Sequence, residues 1–100
     1  MALCIKVHKS YRTVVALCDS EILGKKFEEG IKQLDVRESF YNGESIEEDE
    51  AVRELQRQAR EDATFNIVGE KSVNVAIKSE VISEGCVGKI DNIPFALKLI

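Results

Sequence analysis

Val14-Val15-Ala16-Leu17-Cys18-Asp19 is the stretch on which the fold turns. Valines, alanine, leucine and cysteine follow one another with no polar break, which reads as a deeply buried strand. The strand ends on an acid and runs through Leu23-Gly24-Lys25 to Phe27 and Gly30. A buried strand that leads into a turn carrying an acid, bases and glycines has the form of an element delivering polar groups to the edge of a site.

Upstream, Leu3, Ile5 and Val7 alternate with Cys4, Lys6 and His8. A period of two predicts a half-buried strand. The polar segment Lys9-Ser10-Tyr11-Arg12 joins the two strands as a hairpin. If Val7 pairs with Val15 and Ile5 with Leu17, Cys4 lies opposite Cys18, with Lys6, His8 and Ala16 nearby. A slip of one residue undoes this arrangement, and the sequence leaves the register open.

Downstream, Ile31 to Val36 predicts a third strand, and Phe40-Tyr41-Asn42-Gly43 an aromatic pair running into a turn. Ser45 and Glu48 have the spacing of a capping box. Behind it, Ala51, Leu55, Ala59 and Ala63 mark the buried stripe of a helix from about Glu47 to Thr64, which Phe65-Asn66-Ile67-Val68-Gly69 ends. A shorter helix starts near Gly69 or Glu70, with Val73, Ala76 and Ile77 on its apolar face. Val87 to Ile90 and Ile93 to Leu99 read as two strands joined by Asp91-Asn92. Pro94 has no N–H to give, so its strand lies at an edge or begins there. The order βββ-αα-ββ predicts an α+β fold: one small domain over residues 1–100, with a mostly antiparallel sheet and one long and one short helix packed on it.

The 100 residues carry 14 bases and 18 acids, a net charge of −4. A nucleic-acid binder relying on bulk electrostatics is normally basic. Only residues 1–37 hold a basic excess, seven bases to five acids. Three cysteines without paired spacing point to free thiols in a reducing cytosol. The apolar runs are too short to span a bilayer, so a cytoplasmic location without membrane contact is expected.

Familiar chemistries find little support. Cys4, His8 and Cys18 lack the spacing of a zinc site, so no metal and no cofactor is expected. Cys18 stands beside a carboxylate and has no second histidine as base, which disfavours a nucleophile. Around Gly24-Lys25-Lys26 a phosphate loop fails at both ends: Asp19 replaces its first glycine and Lys26 its hydroxyl residue. Arg53, Arg57 and Arg60 share one helix face, but Asp49 and Glu61 are spaced to pair with them. Phe40-Tyr41 near Arg37 could stack a base, although both rings are more often used in core or turn packing. The amides at Asn66–Glu70 open a helix, where an anion is favoured, although Glu70 opposes one.

Taken in order, Val14-Val15-Ala16-x-Cys18-Asp19, Leu23-Gly24-Lys25, Phe27-x-Glu29-Gly30, Phe40-Tyr41-x-Gly43, Asn66-Ile67-Val68-Gly69 and Ile93-Pro94-Phe95-Ala96 resemble an archaeal family of uncharacterised proteins, domain of unknown function 424. The resemblance spans nearly the whole chain. It implies a small cytosolic protein associated with archaeal translation and RNA processing, and it carries no established activity. The family's last motif often has His after the proline; Phe95 stands there, which favours a structural or binding role for that segment.

The reading that follows is a binding module, more readily non-catalytic than an enzyme, accessory to archaeal translation or RNA metabolism. It would engage RNA or a ribonucleoprotein through Asp19, Gly24, Lys25, Lys26, Gly30, Arg53 and Arg57. Two alternatives stand beside it. One is a small anionic-ligand or enzymatic site at the strand exit formed by Cys18, Asp19 and Lys25. The other is a subunit that self-associates or pairs with a protein through an edge strand.

Overall fold

The computed structural model describes residues 3–99. Strands β1 (Leu3–His8) and β2 (Val14–Asp19) form the expected hairpin. Its register sets Val7 opposite Val15, Ile5 opposite Leu17 and Cys4 opposite Cys18. Next come β3 (Lys26–Glu29), β4 (Lys32–Asp35), the four-residue helix α1 (Glu38–Tyr41) and β5 (Glu44–Ile46). The long helix α2 (Glu48–Arg60), β6 (Thr64–Val68), the shorter helix α3 (Glu70–Lys78), β7 (Gly88–Ile90) and β8 (Ile93–Lys98) complete the chain. Six strands form one sheet in the order β5-β1-β2-β6-β8-β7, and β3 and β4 form a separate ribbon. Only the β2–β6 pairing within that sheet is parallel. The class is therefore α+β with a mostly antiparallel sheet.

The expected order βββ-αα-ββ needs correction, because Thr64–Val68 is a central strand between the two helices. The reason lies at the end of α2. Asp62 adopts φ 62°, its N–H donates to the Ala59 carbonyl, and the Ala63 N–H donates to the Gln58 carbonyl. This is a Schellman motif, usually built on glycine. Here an aspartate stops the helix and turns the chain into β6 within three residues. Glu80, at φ 67°, ends α3 the same way: its own N–H donates to the Ile77 carbonyl and the Val81 N–H to the Ala76 carbonyl.

Three local expectations are also corrected. Ser45 does not cap α2; it lies in β5 opposite Cys4, and Glu47 holds the N-cap position with no side-chain cap bond. Glu48, Asp49 and Glu50 still occupy the first turn, where the helix dipole favours them. Gln58 replaces Ala59 as the inward residue after Ala51 and Leu55. A 3.6-residue period drifts off a strict spacing of four, and the Gln58 amide is satisfied by Glu54 at 2.9 Å. The strand near Ile31 to Val36 exists, but it pairs with β3 in the ribbon and not with the main sheet.

Alternation along the strands divides the core in two. Leu3, Ile5, Val15, Leu17, Phe65, Ile67 and Ala96 face α2 and α3, meeting Ala51, Leu55, Val73 and Ala76. Cys4, Ala16, Cys18 and Val68 face the other way, toward the ribbon and α1, meeting Val36, Tyr41, Phe27 and Leu34. Phe95 belongs to this second cluster and lies against Gly88, where an added Cβ would come within 3.0 Å of its ring. Packing thus accounts for Phe95. Pro94 sits second in β8, near its start. Asp91 and Asn92, both at positive φ, form the tight turn between β7 and β8, as a type I′ turn requires. Among the described residues no helix is long and apolar enough to cross a membrane.

Candidate functional site

At the end of β2, Asp19 is 5 % exposed. Parallel pairing sets Cys18 opposite Val68, which places Asp19 beside Gly69 at the start of α3. One carboxylate oxygen of Asp19 accepts the Ser72 N–H and the Ser72 hydroxyl, both at 2.8 Å, and the other accepts the Lys71 N–H at 3.1 Å. The N-cap residue of α3, Gly69, has no side chain of its own for this task. Asp19 therefore caps α3 from a neighbouring strand. The anion predicted by the helix N-terminus at Asn66–Glu70 is the protein's own carboxylate. Gly69 is required by space as well as by its φ of 111°, since a Cβ there would lie 2.5 Å from the Asp19 carboxyl carbon.

The expected strand-exit site does not assemble. Cys18 is fully buried, and burial first, then the charges of Cys4 and Asp19, push its thiol up to about 12. Lys25 and Lys26 are exposed. The Gly24 N–H donates to the Val36 carbonyl at 2.7 Å, closing the base of the ribbon, and is not available to an anion. Lys26 stands opposite Asp35 across the ribbon, and Gly30, at φ 64°, forms its tip. Cys4 and Cys18 face one another, but the His8 imidazole is turned to the Phe40 carbonyl, 2.8 Å from its Nε2. Among the described residues no three potential ligands converge on a metal position.

The thiols should divide sharply in reactivity. Hydrogen bonds from the Ser83 side chain and backbone hold the exposed Cys86 below the usual thiol range. Since the thiolate is the nucleophile, titration with a chromogenic disulfide at neutral pH should show Cys86 reacting at once. Cys4 and Cys18 should react only on unfolding. Fast reaction of all three would contradict the burial described here.

Arg53, Arg57 and Arg60 are exposed on α2, so the sheet separates them from Lys25 and Lys26 on the ribbon side. A contact that uses both sets has to reach around the domain. Arg57 is also engaged, donating twice to Glu54 at 2.6 and 3.3 Å. Burial acts to raise the Glu54 pKa, but hydrogen bonds from Gln58 and Arg57 outweigh it and leave the group below the ordinary value. A groove of about 460 Å³ between β1, β5 and α2 has this pair on its wall, and its acids and bases largely offset one another.

A different set of side chains does converge. The ribbon and α1 cover only part of their side of the sheet. In the uncovered part, a concavity of about 300 Å³ is lined by Asp35, Arg37, Phe40, Tyr41 and Asn66. His8 stacks on Phe40 with ring centroids 4.6 Å apart, and Tyr41 meets Phe40 edge-on at 5.0 Å. Burial pushes the Tyr41 phenol up to about 12, aided by Cys18, so it remains protonated. Arg37 extends into solvent with one bond to Asp35 at 3.3 Å. Asn66 projects from the middle of β6 between Ala16 and Leu97, and Leu97 beside it is 55 % exposed. Arg37 with Phe40-Tyr41 was weighed in the sequence as a stacking group against ring packing, and Tyr41, 6 % exposed, does pack in the core. Asn66 was not associated with it, because only the sheet brings it there.

The profile of a protein family of unknown function, DUF424, matches residues 8–99. The chain belongs to the DUF424 family. The fold is shared with an uncharacterised conserved protein from Methanopyrus kandleri, known from a crystal structure. That protein is 24% identical, and the match covers 97% of this chain and 90% of that one with a TM-score of 0.88. A comparison with curated proteins finds no match. DUF424 membership therefore comes with a fold but no chemistry, and the functional reading rests on the side chains.

Proposed function

We propose that the protein is a non-catalytic binding module that engages RNA or a ribonucleoprotein, as an accessory to translation or RNA metabolism in the cytoplasm. The contact is the open part of the sheet on the ribbon side. The observation that carries this reading is the convergence of Arg37, Phe40, Tyr41 and Asn66 around one concavity, with His8 stacked on Phe40 behind them. Single-stranded RNA is recognised by splayed bases laid on aromatic or guanidinium planes and hydrogen-bonded at their edges. Stacking contributes about 1–3 kcal/mol per base on top of backbone electrostatics, and on a chain of net charge −4 it would have to carry most of the affinity. Arg37 supplies a cation for a neighbouring phosphate. With so few cations, the slope of log affinity against log salt should be shallow, on the order of −1.

Fluorescence anisotropy with a short mixed-sequence single-stranded RNA tests this. Binding at low salt is expected, weakened about tenfold by Arg37→Ala, the loss of one charged hydrogen bond. Arg53→Ala should leave it unchanged. Absence of binding at low salt, or equal loss with Arg53→Ala, would contradict the proposal.

A second reading, self-association, has one observation in its favour. β7 pairs only with Ile93–Phe95 of β8, and the exposed Leu97 and Leu99 follow on its uncovered half. An unpaired strand edge is a template for another chain. Light scattering would show a dimer that Leu97→Lys disperses; a monomer at all concentrations would remove this reading.

A further inference from the structure

We infer that the concavity is a guanine site, with Asp35 and Asn66 as the residues that select the base; this rests on the RNA reading above. A carboxylate is out of place on a surface that meets a polyanion, yet Asp35 lines the concavity together with Arg37 and Asn66. Its side chain is 35% exposed, and among the described residues its ion pair, to Arg37 at 3.3 Å, uses a single carboxylate oxygen. The other oxygen and the remaining lone pairs can accept from a ligand. Among the described residues no protein group engages the Asn66 side-chain amide, which is open to solvent, although asparagine is disfavoured in a strand and this one is half-buried. The concavity therefore presents a pure acceptor at Asp35, a pure donor at Arg37 and a donor–acceptor pair at Asn66.

Among the four bases, guanine complements that set. Its N1–H and N2 amino group are adjacent donors, matching the two oxygens of a carboxylate. Its O6 and N7 are adjacent acceptors, matching the amide N–H of Asn66 or the guanidinium of Arg37. Adenine, cytosine and uracil each lack a pair of adjacent ring-edge donors for Asp35, so each displaces water from the carboxylate without returning both hydrogen bonds, which penalises a wrong ligand. Phe40, which lines the concavity with one face stacked on His8, supplies apolar surface for the base.

The test uses the intact protein and short uridine-rich RNAs that differ at one central position: guanine, inosine, adenine or cytosine. Inosine keeps the O6 and N7 acceptors and lacks the 2-amino donor. Guanine should bind about tenfold more tightly than adenine or cytosine, with inosine between, within the range of a good bidentate contact. Asp35→Asn should bring guanine down to the level of inosine while leaving the uridine-only RNA unaffected, and thermal melting of that variant confirms that it folds. Equal affinity for all four RNAs would overturn the guanine assignment and leave the RNA reading standing. No binding by any of them would overturn both.

Discussion

Asp19→Ala is expected to destabilise the protein by about 3–5 kcal/mol, since hydrogen bonds to a charged group are worth about 1.5–3 kcal/mol each. The carboxylate accepts three such bonds from the first turn of α3. Removing it orphans two backbone N–H groups and a buried hydroxyl at a helix N-terminus, where the dipole also loses its counter-charge. A loss of this size is at least about a fifth of the roughly 5–15 kcal/mol that holds a typical domain together. It should lower the melting temperature on the order of 15–25 °C. Asp19→Asn keeps the shape and one acceptor and should cost less, about 1–2 kcal/mol by the charge lost. Gly69→Ala should also be severe, because its Cβ would press on the Asp19 carboxyl from a backbone at φ 111°. The two sites are coupled, so Gly69→Ala should cost less in an Asp19→Ala background than alone. Urea denaturation of the four proteins measures this; additive effects would contradict the cap.

Gly43→Ala is expected to cost about 3 kcal/mol, at the upper end of overpacking penalties. The Cβ would run into the Ile5 carbonyl oxygen and come within 2.9 Å of the Lys6 Cα. Both are backbone atoms of β1, so neither can rotate away as a side chain would. Relief requires β5 to lift from Leu3–Ile5, the segment it covers, and those amides should then exchange with solvent faster than the rest of the sheet. Gly85→Ala is the control: nothing lies within 4 Å of its Cβ, and the change should stay within about 0.5 kcal/mol. Equal midpoints for the two variants would show that β5 does not pack so closely.

Where local pattern and tertiary structure agree, the chain was legible. Alternation in Leu3–His8 and the apolar run after Thr13 revealed the hairpin, while the register that sets Cys4 opposite Cys18, open in the sequence, is fixed by the strand pairing. β6 stayed hidden because Asp62 and not a glycine ends α2, so Ala63 and Thr64 read as more helix. β5 was obscured because Ser45 and Glu48 imitate a capping box while Ser45 in fact pairs with β1. The Cys18–Asp19 exit looked like chemistry for a physical reason. A carboxylate aimed at a helix N-terminus is arranged like a binding site, and only the partner strand reveals that the bound group is Asp19 itself. The concavity was half legible: Arg37, Phe40 and Tyr41 are neighbours in sequence, whereas Asn66 reaches them only through the parallel pairing of β6 with β2.

The central claim is that the strand exit is a structural lock and that the contact surface is the open sheet face beside Arg37. Amide and side-chain chemical shifts of isotope-labelled protein, followed through a titration with guanine-containing single-stranded RNA, test it most directly. The predicted result is a cluster of shifts at His8, Arg37, Phe40, Asn66 and Leu97, with Asp19, Lys25, Lys26, Arg53 and Arg57 unmoved. Shifts centred on Lys25 and Lys26, or along the arginine face of α2, would contradict it.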